Sequence, residues 1–185
     1  MIFNGEMVRA ILDGGKTQTR RPVKVPHIDR DAMCELSGNE LAGELSAGNY
    51  RNSPHGKPGD RIWVRETWAR YNIDQDSHDM AYRATPPADW PEEGRWRPSI
   101  HMPRWASRLM LEITGVRVER LQAITLGDIC KEIGCGLYDF RPATYGFQVW
   151  EELWKSIYGE ENWQANPWVW VIEFKVVPNV QDNPA

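Results

Sequence analysis

No run of about 18 consecutive apolar residues occurs in this chain, so the sequence holds no membrane-spanning helix. The first residues lack a basic stretch leading into an apolar one, so no secretory signal is expected and the expected location is cytoplasmic. Cysteine is scarce. Cys34, Cys130 and Cys135 are an odd number, which argues against a disulfide framework. Cys130 and Cys135 have the spacing of a zinc half-site, but Cys34, His27, His55 and His101 are scattered and supply no second half. Neither a metal nor a cofactor is expected. Repeats and low-complexity tracts are also missing. So is an excess of basic charge: the net charge is −4, so bulk attraction to nucleic acid is not implied.

What is present fits one folded domain. At 185 residues, with 41% hydrophobic and 26% charged residues, the chain is long enough to bury a substantial core. Charge is unevenly spread. Residues 95–120 carry Arg95, Arg97, Arg104, Arg108, Arg117 and Arg120 against Glu112 and Glu119, whereas residues 121–185 are mainly acidic. A local basic face on an acidic body suits a short or single-stranded ligand better than a long duplex. Tryptophan is abundant, with ten residues. Trp63, Trp150, Trp154, Trp168 and Trp170 fall on apolar faces and read as core. Trp68, Trp96 and Trp105 stand beside Arg and Pro, where a ring can stack on a base.

The pattern of elements predicts an α+β domain over residues 1–178 with a polar tail, 179–185. Val8, Ile11 and Leu12 put an apolar face on a helix over Met7–Asp13, closed by Gly14 and Gly15. A polar strand follows, with Lys16, Gln18 and Arg20 on one face and Thr17, Thr19 and Arg21 on the other. Residues 25–56 read as a long excursion with little regular structure, and residues 70–98 as a second. Within the second, 72–79 are polar loop and Met80–Ala84 a short strand. Arg61–Glu66 is a strand after the turn Pro58-Gly59-Asp60. Residues 106–120 are extended, with Gly115 as a bulge. Thr125–Ile133 is a capped helix ended by Gly134. Thr144–Tyr158 is a helix whose stripe is Phe147, Trp150, Leu153, Trp154 and Ile157. The final strand, from Trp168, is apolar on both faces and so central.

Chemistry is densest at Gly14-Gly15-Lys16-Thr17-Gln18-Thr19-Arg20-Arg21. A helix end that passes directly into a lysine and two arginines offers donors to an anion or a nucleobase. Gly15-Lys16-Thr17 ends like a phosphate-binding P-loop. However, Ala10 stands where its first glycine belongs, and the helix precedes the loop instead of following it. The bland alternative is a solvated strand edge protected by charge.

This opening resembles that of the ASCH (activating signal cointegrator homology) family, in its phage and prophage branch. Four further blocks carry the resemblance: Lys57–Trp68, Trp96–Arg108, Ile124–Gly134 and Asn166–Phe174. The resemblance implies a PUA-like small mixed β-barrel with flanking helices and a long loop insertion. It further implies binding of single-stranded RNA or a modified nucleoside. Family members that remove acyl groups from N4-acylated cytidine use a lysine, a threonine and a glutamate. By that resemblance the catalytic set would be Lys16, Thr19 and Glu132. In such a set a base must take the threonine proton, so Lys16 would need a lowered pKa. Ligand-binding candidates are Thr17, Arg20, Arg21, Arg65, Glu66, Trp68, Arg104, Trp105 and Arg108. Glu66 can accept from an exocyclic amine of a base, or simply pair with Arg21 or Arg108. Three functions stay open: a binding domain, a hydrolase (amidohydrolase or ribonuclease) using the same cleft, and a phage-encoded interaction or morphogenesis protein.

Overall fold

A computed structural model describes residues 1–70 and 80–179. The polar loop expected at 72–79 and the tail from residue 180 lie outside the described residues; Asn179, where the tail was expected to begin, donates to the Ser107 carbonyl.

Helix α1 spans Gly5–Leu12. It starts earlier than the apolar pattern predicts because the Asn4 side chain accepts from the Met7 amide at 2.8 Å. Val8 and Ile11 are fully buried, but Leu12, one position further round, is 41% exposed. Strand β1 is Gln18–Pro22. Helix α2, Gly38–Ser46, lies inside the excursion expected to be irregular. Its signal is a capping box: Ser37 and Glu40 satisfy each other's backbone, and Leu41 and Leu45 then fall on one buried face.

Four strands follow: β2 (Arg61–Trp63), β3 (Trp68–Arg70), β4 (Met80–Tyr82) and β5 (Met110–Arg120). β2 is shorter than expected because the Arg65 amide donates to the Met1 carbonyl, drawing the chain out of the sheet. Helices α3 (Leu126–Ile133), α4 (Ala143–Tyr158) and α5 (Glu160–Gln164) lead to strand β6 (Trp168–Val177). Thr125 caps α3, and Gly134 ends it at φ +86°.

The fold is α+β with flanking helices, and where a small mixed barrel was expected the described sheet is a curled half-barrel. Its order is β1-β6-β5-β2 and every pairing is antiparallel, while β3 and β4 form a separate ribbon. The result is a curled half-barrel, with the expected bulge appearing as a register shift between Ile113 and Gly115. Among the described residues it does not close, because its short edge strands give way to other partners. The Thr17 amide, just before β1, donates to the Lys131 carbonyl of α3, and beyond β2 the Phe3 amide donates to Arg65.

β6 is central, as its two apolar faces require. Val169 and Val171 pack with Trp150 and Trp154 under α3 and α4. Trp170 and Ile172 pack with Leu41 and Leu45 of α2. The α4 stripe is narrower than expected: Phe147 and Ile157 are exposed, and Gly146, Trp150 and Trp154 are buried. Gly146 is the reason for the close approach, since a Cβ there would lie 2.5 Å from Leu126 Cδ1.

Candidate functional site

Gly15 has no need of a left-handed conformation, but a Cβ on it would sit 2.6 Å from the Gly134 carbonyl oxygen. The loop after α1 therefore lies backbone to backbone on the end of α3. That contact sets Lys16 beside Glu132. Lys16 is 1% exposed, and its Nζ donates to the Gln18 carbonyl (2.8 Å), the Glu132 carbonyl (2.5 Å) and Glu132 Oε2 (3.3 Å). Arg20, also buried, donates from Nη1 to Glu132 Oε1 at 3.0 Å and pairs with Glu119 and Asp128. Arg117 extends the network to Glu119, Asp128 and Glu173. With its amide nitrogen turned to Asp128, Gln18 also joins, its oxygen accepting from Arg20.

Burial pushes the Lys16 pKa below the usual lysine range, and Arg21 and Arg20 add to that, while the Glu132 carboxylate pushes back. Three acceptors match the three protons of an ammonium, so the amine is saturated. Thr19 is buried and shares with Glu132 a cavity of about 20 Å³ closed by Trp150, Leu153 and Trp154 of α4. That is room for one water. Among the described residues no hydrogen bond joins the Thr19 hydroxyl to Lys16 or Glu132, consistent with its opposite side of the strand. Thr17 serves the backbone: its amide meets Lys131 and its carbonyl accepts from Phe174.

Glu66 lies on a different cavity. Glu66 is 2% exposed and accepts two bonds from Arg108, from Nε at 2.8 Å and Nη2 at 2.9 Å. The Arg108 guanidinium lies over Tyr82. Glu66 and Arg83 border a polar cleft of about 540 Å³ at the start of α1. Trp68 is buried, touched edge-on by the half-exposed Trp105, with Arg97 over Trp68 and Arg70 over Trp105. Arg104 is exposed in the turn before Trp105, and Arg65 lies over Trp63. The single cleft expected from the sequence is thus divided: Lys16, Arg20 and Glu132 meet at the sheet–α3 junction, and Glu66, Trp68, Trp105 and Arg108 gather about the β3–β4 ribbon.

A further cleft joins neither set. It measures about 660 Å³ and is lined by Arg21, Pro22 and Lys24 at the end of β1, by His27, Pro54 and His55 of the 25–56 excursion, and by Ile62 and Trp170. His27 and His55 meet Trp170 edge-on, with ring centroids 5.7 and 5.6 Å away. Arg21 is held by the Ile2 carbonyl at 2.8 Å and the Tyr158 hydroxyl at 3.3 Å. Burial and the nearby Arg21 lower the His55 pKa to about 4, so its ring is neutral near pH 7. His27 Nε2 is buried without a partner. Among the described residues no acidic side chain lines this cleft. Sequence reading singled out Arg21 but missed His27, His55 and Lys24, and took Trp170 as core alone. No local spacing signals their meeting. The available sign was two histidines inside an excursion rich in Gly, Ser, Asn and Asp.

Among the described residues, no group of three His, Cys, Asp or Glu could hold a metal, and no helix is long and apolar enough to cross a membrane. Cys130 and Cys135 are free, and burial raises the Cys135 thiol to about 11.

No protein-family model matches this chain, and no curated protein matches it. A crystal structure of protein EF3133 from Enterococcus faecalis V583, described as a DUF984 protein, is similar at 10% identity and a TM-score of 0.43, over 97% of this chain and 75% of that one. A likeness of that degree carries no argument about fold or function.

Proposed function

We propose that this chain is an ASCH-type, PUA-like domain that binds single-stranded RNA or a modified nucleoside, with the ligand in the cleft of Arg21, Lys24, His27, His55 and Trp170. The observation that carries this reading is the lining of that cleft. Two cations and, among the described residues, no carboxylate favour a phosphate, and the His27 and His55 rings, backed by the buried Trp170, offer flat surface to a base. A neutral His55 can both donate to and accept from a base edge. The volume, about 660 Å³, falls in the range of small-ligand sites.

The test is a fluorescence titration with short single-stranded RNA and duplex DNA. RNA binds more tightly, and its affinity falls as salt rises. Lys24 is exposed, so Lys24→Glu weakens binding without harming the fold. Unchanged affinity in that variant defeats the assignment. Reversing Arg20 would not test it, since Arg20 is buried in the ionic network.

A second reading, a hydrolase on N4-acylated cytidine, draws on one observation: Lys16 and Glu132 meet across 116 residues, with Thr19 on the same cavity as Glu132. Catalysis there requires α4 to move and Lys16 to lose its proton. Release of cytidine from N4-acetylcytidine, abolished by Thr19→Ala, supports it; no turnover by folded protein removes it.

A further inference from the structure

We infer that the ligand on this face is a single strand of at least two nucleotides, one base beside Trp170 and the next beside Arg120 and Trp168. The inference rests on the cleft reading above and narrows its ligand from nucleoside to strand.

A second cavity of about 350 Å³ adjoins the first at His27, which lines both. Val23, Leu36, Leu41, Arg120 and Trp168 border it. Trp168 and Trp170 are two residues apart on β6, so they share a face at a separation of about 6.6 Å. That is roughly twice the 3.4 Å stacked step of a nucleic-acid strand. Trp170 is buried and only backs the first cavity, so it is the two cavities, spaced by these residues and joined at His27, that take one base each of an unstacked strand.

The second position offers a different platform from the first. Gly38 packs on the Trp168 indole so closely that a Cβ would lie 2.2 Å from the ring. The Arg120 guanidinium lies over the same ring, 4.6 Å from its centroid, and donates to the Asn166 carbonyl at 3.1 Å. The guanidinium is thus held as a layer on the indole, and a base can stack on it. Between the two positions the chain leaves β1. Val23 lines the second cavity and the exposed Lys24 the first, so a linking phosphate passes Lys24. Among the described residues Glu35 is the one acidic residue bordering either cavity. A free nucleoside fills the first cavity alone and makes no use of Arg120.

The experiment compares uridine monophosphate, the dinucleotide pUpU and hexauridylate by titration of the full chain. The dinucleotide binds about ten-fold more tightly than the mononucleotide, one added stacking contact. Arg120→Ser removes that gain and leaves mononucleotide affinity unchanged. A dinucleotide carrying 4-thiouridine at its second position crosslinks to the α2 or Trp168 peptide. If the mononucleotide binds and the dinucleotide binds no better, or if Arg120→Ser leaves the gain intact, the strand inference is overturned while the cleft reading stands. If none of the three ligands binds folded protein, the cleft reading itself falls and this inference with it.

Discussion

Replacing Glu132 with glutamine removes the carboxylate that Lys16 and Arg20 share. Side-chain exposure is 0% for Lys16, 4% for Glu132 and 0% for Arg20, so solvent screening offers no relief. Removing one partner of a buried pair costs about 3–5 kcal/mol. Two features place this case near the lower bound. Arg20 keeps Glu119 and Asp128, and Lys16, whose pKa is already depressed, can shed its proton instead of staying charged and alone. A loss of about 3 kcal/mol lowers Tm by roughly 6–12 °C in a domain of this size. Lys16→Met costs less, because Glu132 stays paired with Arg20 at 3.0 Å. The double variant is therefore less destabilised than the sum of the two, by about 1 kcal/mol or more. Urea unfolding followed by tryptophan fluorescence measures all three. A Glu132→Gln loss below about 1 kcal/mol, or strict additivity, refutes the view that this network is desolvated and coupled.

Three further outcomes follow from local geometry. His55 stays neutral in the fold down to about 4, against an ordinary 6.5, so the unfolded chain takes up a proton first and stability falls as pH drops through that window. His55→Asn flattens this part of the stability–pH curve, and an unaltered curve would assign the effect elsewhere. Gly146→Ala forces a methyl to within 2.5 Å of Leu126 and 2.9 Å of Phe140, and costs about 1–3 kcal/mol in denaturant unfolding. Ser37→Ala breaks the α2 capping box for about 0.5–2 kcal/mol; hydrogen exchange shows it as faster exchange at the start of α2.

Elements whose cause is local could be read from the chain alone. Thr125 and Gly134 mark both ends of α3, the two apolar faces of Trp168–Val177 require a central strand, and Gly115 breaks the alternation where the register shifts. Helix α2 was equally local, since Ser37 and Glu40 carry its signal, but the surrounding Gly, Ser and Asn hid it. What tertiary structure alone decided were meetings across long stretches of chain. The contact of Gly15 with Gly134 buries Lys16 against Glu132, and it turns a run that looks solvated into the centre of an ionic network. Likewise, of the two partners the sequence offered Glu66, Arg21 and Arg108, packing selects Arg108, and the 25–56 excursion folds back to set His27 and His55 against Trp170. Periodicity reports which face of an element is apolar. It carries no information about which polar group of a distant element that face will meet, because that is set by how the elements pack.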